Sequence, residues 1–190
     1  YQHYKAADEN VPGDFSSAAF LLAAAAITES NVKINNLDYE TIQGDKAILT
    51  ILKRMGVDGK VCRDSVQIEG RGSPLKPIDV DAKNIPDLVP VITVLACYAK
   101  GTSHISGARR LRLKESDRLK SIHEELSKMG AKITLTEDSL TIEGAILHGA
   151  DIDPHNDHRI AMAAAVAALG AGGETTITHA KCIRKSYPQF

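Results

Sequence analysis

The chain has 190 residues, 23 of them Lys or Arg and 24 Asp or Glu, for a formal net charge of −1, with 43% hydrophobic and 25% charged residues. This composition is globular: it excludes a disordered tail, fits one domain or two small ones, and buries roughly 70% of the unfolded surface. Balanced charge argues against a protein built to coat nucleic acid or an anionic membrane. Cys62, Cys97 and Cys182 share no short spacing, which argues against a zinc knuckle or a disulfide framework and points to a reducing cytoplasm.

In chain order, the sequence opens at Tyr1 rather than Met, without a secretory signal, and reads as a piece of something longer. Ala18 to Ile27 is the first of three stretches apolar on nearly every side, the others being Leu88 to Ala99 and Ile160 to Leu169. Each is too short to cross a bilayer, which takes about 20 residues, and a helix hydrophobic all round belongs inside a folded domain. Asp45 to Met55 is predicted to be an amphipathic helix closed by Gly56, with two short alternating strands after it. Ser116 to Met129 is predicted to be a second one. It sets Leu119, Ile122, Leu126 and Met129 inward at steps of three and four, leaves Glu124, Glu125 and Lys128 outward, and stops at Gly130. Ile133-Thr134-Leu135 and Leu140-Thr141-Ile142 then form a hairpin turning at Glu137-Asp138-Ser139.

The two regions repeat. Lys53 to Gly56 aligns with Ser127 to Gly130 at an offset of 74, and Asp64 to Gly70 aligns with Asp138 to Gly144 at the same offset without a gap. The unit is buried helix, strand, amphipathic helix, strand, strand. A third copy starts at His158 and runs through the strand Thr175 to Thr178 before Phe190. The expected fold is an α/β domain of three repeats around three buried helices.

The informative polar residues precede those helices: Gly13-Asp14 with Ser16-Ser17, Asn84-Ile85-Pro86-Asp87, and Pro154 to Arg159. Asp14, Asp87 and Asp157 suit N-caps or first-turn acids. Three helix N-termini brought to one end by the repeat would also attract anions. Arg109 to Lys120 packs six cations into twelve residues, either a solvated charged face or an anion site. Ser116 is placed to cap the helix that follows, and Arg118 in its first turn opposes the helix dipole unless an anion answers it. No aromatic interleaves with the patch, so nothing there stacks on bases. Arg159, Lys181 and Arg184-Lys185 add cations suited to phosphate or carboxylate. Glu115, flanked by Lys114 and close to Arg118, could move a proton. His155-Asn156-Asp157-His158 lacks the spaced partners of a metal site, so no metal is expected, and no nucleophile elbow is visible.

Val11 to Ala19, Asn84 to Asp87, Lys114-Glu115-Ser116-Asp117-Arg118-Leu119, Asn156-Asp157-His158-Arg159-Ile160-Ala161-Met162 and the ending Lys181…Lys185-Ser186-Tyr187-Pro188 resemble, in order, successive signatures of the EPSP synthases (3-phosphoshikimate 1-carboxyvinyltransferases). The resemblance covers essentially the whole chain. It implies an enzyme about twice this long, with two domains of three βαβαββ units each and a cleft between them. Residues 1–190 would then be a single C-terminal domain with an incomplete third repeat, lacking the N-terminal domain and the last C-terminal helix.

The resemblance also implies the chemistry: transfer of the carboxyvinyl group of phosphoenolpyruvate to the 5-hydroxyl of shikimate 3-phosphate, by addition and elimination, with no cofactor and no metal. Asp87 would be the proton acceptor at that hydroxyl and Glu115 the proton donor to the methylene carbon. Lys114 would contact shikimate 3-phosphate, and Arg118, Arg159 and Lys185 would hold phosphoenolpyruvate or its mimic glyphosate. Partners would be the two substrates and the N-terminal domain, with no nucleic acid or membrane, in the cytoplasm. Arg110 departs from the pattern, since many members carry Asn four positions before the lysine. The isolated piece is expected to be inactive. Two other readings stand beside this one: a sibling enolpyruvyl transferase acting on UDP-N-acetylglucosamine, and a non-catalytic anion-binding or oligomerisation domain using the same basic patch.

Overall fold

Among residues 3–8, 11–70 and 74–190, which the computed structural model describes, the two aligned stretches fold alike. The first holds α1 (Phe15–Ile27), β1 (Asn31–Asn35), α2 (Ala47–Arg54), β2 (Asp58–Val61) and β3 (Ser65–Glu69). The second holds β4 (Asp79–Asp81), α3 (Val89–Cys97), β5 (Thr102–Ser106), α4 (Arg118–Lys128), β6 (Lys132–Leu135) and β7 (Leu140–Glu143). It is thus a complete βαβαββ unit. The third begins a strand earlier than the sequence suggests, with β8 (Asp151–Ile152), then α5 (His158–Gly170) and β9 (Thr176–Ile177).

The internal repeat extends to individual hydrogen-bonded pairs. In the first unit β1 and β2 flank β3, all antiparallel, and Asp58 faces Glu69 while Val61 faces Val66. In the second, β5 and β6 flank β7, and Lys132 faces Glu143 while Leu135 faces Leu140, each 74 residues on. The second sheet adds β4, parallel to β5. In the first unit, at that position, the Gly13 N–H donates to the Asn36 carbonyl, where the second has Ala82 to Ser106. β8 and β9 form a parallel pair of their own.

Both amphipathic helices end in the same motif. The Gly56 N–H reaches the Lys53 carbonyl and Val57 reaches Leu52; Gly130 reaches Ser127 and Ala131 reaches Leu126. The glycines stand at φ +90° and +88°, left-handed values that residues with a Cβ avoid. The inward stripe of α4 is as predicted: Leu119, Ile122, Leu126 and Met129 are all buried, each contributing about 1.5–3 kcal/mol through removal from water. Glu125 departs from prediction, being 2% exposed rather than outward. The helix also starts later than predicted, at Arg118, because Asp117 and not Ser116 caps it by accepting from the Lys120 N–H at 3.1 Å.

α1, α3 and α5 pack on one another at the centre of a single continuous core. α3 is buried at every residue from Val89 to Cys97. Among the described residues, no helix is long and apolar enough to cross a membrane.

Candidate active site

The leading ends of the central helices carry acids of different kinds. Asp14 caps α1, accepting from the Ser16 and Ser17 N–H groups. Asp157 caps α5, accepting from the Arg159 N–H. Asp87 is not a cap. It lies in a 3₁₀ turn, Pro86–Leu88, just before α3, with its carboxylate free to face elsewhere.

That carboxylate turns to cations from two other segments. Arg118 Nη1 donates to Asp87 Oδ1 at 2.9 Å, Lys114 Nζ lies 3.1 Å from the same oxygen, and Arg159 Nη2 lies 3.4 Å from Oδ2. Arg118 is the hub. Its Nε donates to Asp157 Oδ2 at 2.9 Å and its Nη2 to Glu115 Oε2 at 2.6 Å. Glu115 Oε1 in turn faces Lys185 Nζ at 3.5 Å and His158 Nδ1 at 3.7 Å. Asp87, Lys114, Glu115, Arg118, Arg159 and Lys185 therefore form one connected cluster drawn from four separate stretches of chain.

Two participants go beyond the expected set. Asp157, read from sequence as a cap, also serves as counter-ion to Arg118 and accepts from the Ser116 hydroxyl at 3.2 Å. Ser116 Oγ also accepts from the Ser121 hydroxyl at 3.2 Å, so its side chain is turned to Asp157 and Ser121 while Asp117 caps α4. His158 is buried and its Nδ1 has no hydrogen-bond partner. The sequence places His158 in the Asn156 to Met162 signature but gives it no role of its own. His155 turns away to Glu125, so the two histidines do not converge on one point.

The basic stretch before α4 divides into different jobs. Arg112 braces the hairpin, donating to the Thr136 and Glu137 carbonyls and to Asp117. Arg109 pairs with Glu137 at the surface, and Arg110 is exposed. Arg118 is 1% exposed. An unanswered cation at a helix N-terminus was the sequence argument for a bound anion there, and carboxylates answer it instead.

Electrostatics fix the protonation states. Burial pushes the Asp87 carboxyl up, but Arg159, Lys114 and Arg118 outweigh it and hold it below the usual range. For Asp157, burial is likewise overcome by Arg118 and the α5 backbone. Glu115 is also lowered: burial opposes, while a backbone hydrogen bond and Arg118 favour the carboxylate. His158 is lowered by burial and then by Arg159, so its imidazole is held neutral. Asp45 is pushed up by burial and by Asp87 despite accepting from the Ser16 hydroxyl. Burial raises the Cys97 thiol to about 12, which removes it as a nucleophile at neutral pH.

The family model described as "EPSP synthase (3-phosphoshikimate 1-carboxyvinyltransferase)" matches residues 1–190. A 3-phosphoshikimate 1-carboxyvinyltransferase of Methanocaldococcus jannaschii is 49% identical over 190 residues, all of this chain and 44% of the relative. One from Methanocella arvoryzae is 48% identical over 189 residues, again 44% of its length. An Acinetobacter baumannii EPSP synthase structure superposes with a TM-score of 0.81 at 33% identity, over 94% of this chain and 44% of that one. The chain thus spans less than half the length of the relatives it matches.

Proposed function

Because the chain belongs to the EPSP synthase family, we propose that the charged cluster is one wall of a cleft in which the intact parent transfers the carboxyvinyl group of phosphoenolpyruvate to the 5-hydroxyl of shikimate 3-phosphate, releasing phosphate. The observation that carries this reading is the convergence of the six residues around Arg118 and Glu115. Asp87, held ionised by three cations, accepts the hydroxyl proton as the new C–O bond forms at C2. Glu115 delivers a proton to the methylene carbon. The resulting tetrahedral adduct then loses a methyl proton and phosphate. Lys114, Arg118, Arg159 and Lys185 offset the repulsion between two polyanions and act as a preorganised field for the developing charge.

Glu115 needs a proton before it can give one. Its neighbours in the cluster favour the carboxylate. An incoming phosphate or carboxylate that takes over Arg118 and Lys185 weakens that hold and moves Glu115 toward the protonated acid. Substrate binding then arms the donor.

We further assign residues 1–190 to the C-terminal domain of a two-domain cytoplasmic enzyme. Three free cysteines suit that compartment, and the exposed Val11, Ile42 and Leu113, the last next to Lys114, suit burial against the other half. Half a cleft orients neither substrate, so the isolated 190-residue chain should not turn over.

The test is phosphate release by the intact parent given phosphoenolpyruvate with and without shikimate 3-phosphate. Release should require both and should fall about 100- to 10,000-fold in Glu115→Gln. Release with UDP-N-acetylglucosamine in place of shikimate 3-phosphate would move the protein to the sibling activity. Release that Glu115→Gln leaves intact would remove Glu115 from the mechanism.

A further inference from the structure

A buried carboxylate away from the cluster has every sign of a built contact. Glu125 lies on α4, seven residues after Arg118 and so on the same face. At 2% exposure it accepts from the Asp153 N–H at 2.9 Å, from Lys128 Nζ at 2.7 and 2.9 Å, and meets His155 Nε2 at 3.1 Å. Two of these partners belong to the loop that delivers Asp157, His158 and Arg159. That loop is conformationally demanding: His155 and Asn156 stand in succession at φ +51° and +56°, left-handed geometry that costs free energy at each non-glycine residue. It needs an external hold.

α4 supplies that hold at two points. Arg118 binds the loop's far end at Asp157, and Glu125 binds its near end at Asp153 and His155. The rigid helix between them sets the distance. We infer that Glu125 is a positioning residue for the cluster: it fixes the 153–157 loop so that Arg159 and the Asp157-bound Arg118 face the ligand, an inference that rests on the transferase reading above. Asp87 and Lys114 are carried by other segments, so the effect should be selective for the substrate that Arg118 and Arg159 hold.

The experiment is Glu125→Gln in the full-length enzyme. This variant keeps size and one acceptor but loses the charge and one lone-pair partner. We expect kcat/KM for phosphoenolpyruvate to fall about 100-fold, as displacement of positioning groups by about 1 Å does. The Kd for shikimate 3-phosphate should stay within about threefold of wild type, and amide exchange should accelerate at residues 153–159. Should Glu125→Gln fail to fold, His155→Ala removes one contact from a partly exposed side chain, and a smaller loss with the same selectivity is expected. Kinetic constants unchanged within about threefold would overturn the inference. So would equal weakening of both substrates, or exchange in the loop at the wild-type rate. Wild-type enzyme that releases no phosphate would instead sink the transferase reading, and loop exchange in the variant would still judge the hold.

Discussion

At the scale of the residue, Arg118 concentrates the energetic risk of the fold. It is 1% exposed and shared among Asp87, Glu115 and Asp157, the last 0% exposed. Removing one member of such a set strands buried charge, which costs far more than the intact set contributes. Arg118→Met should therefore destabilise the chain by about 3–5 kcal/mol, read as a lowered midpoint in urea unfolding. Arg118→Lys should recover little, because an ammonium cannot present the planar fork that meets three acceptors at once. A near-neutral Arg118→Met would mean that Asp157 and Glu115 repair themselves by protonation or by water.

At the scale of the element, the paired helix ends offer an internally controlled comparison. Gly56 and Gly130 adopt the same left-handed cap. A Cβ at Gly56 would meet only the Lys76 side chain at 3.7 Å, whereas one at Gly130 would press on the His148 ring at 3.1 Å. Gly56→Ala should cost about 1–2 kcal/mol from backbone conformation, and Gly130→Ala more, which paired thermal melts would show. These caps were legible in the sequence, as were the buried helices and the hairpins, because each follows from a few neighbouring residues. The six residues of the charged cluster could be nominated from family motifs and their order, and the structure brings them together. What the sequence hid were choices between near-equivalent polar neighbours: Asp117 over Ser116 as the cap, and Asp157 as both cap and counter-ion. Glu125 was hidden for a related reason. Helical spacing marks a charged residue as outward, and of the partners that make its burial tolerable only Lys128 is a helix neighbour, while Asp153 and His155 lie far away in sequence.

At the scale of the whole molecule, the cluster makes stability depend on pH. Asp14, Asp87, Glu115 and Asp157 all sit below their ordinary values, and so does His158. For each, the unfolded chain binds the proton first as pH drops, so these groups stabilise the fold at neutral pH and lose that contribution in acid. Asp45, which is raised, contributes the other way: its share is present in acid and lost as pH rises through its folded value. Urea midpoints should begin to fall below pH 6.5, where an unfolded histidine charges, and fall more steeply below 4.5, the ordinary value for glutamate. His158→Gln should flatten the shallow upper limb and leave the steep one. An unchanged upper limb would mean that His158 titrates as it does in water.

On the proposed reading, the pairing inside the cluster also governs how a ligand is captured. Lys114, Arg118, Arg159 and Lys185 stand against Asp87, Glu115 and Asp157, so most of the charge is answered inside the cluster. Beyond about 8–10 Å, physiological salt screens what remains. Long-range attraction then contributes little to the encounter, and a docking anion must trade places with a carboxylate that already holds its cation. Chloride or a lone phosphate offers poor exchange for a bidentate carboxylate partner. A ligand presenting several oxyanions at the right separations can exchange several at once, so a site built this way would discriminate by the spacing of charge rather than by its amount.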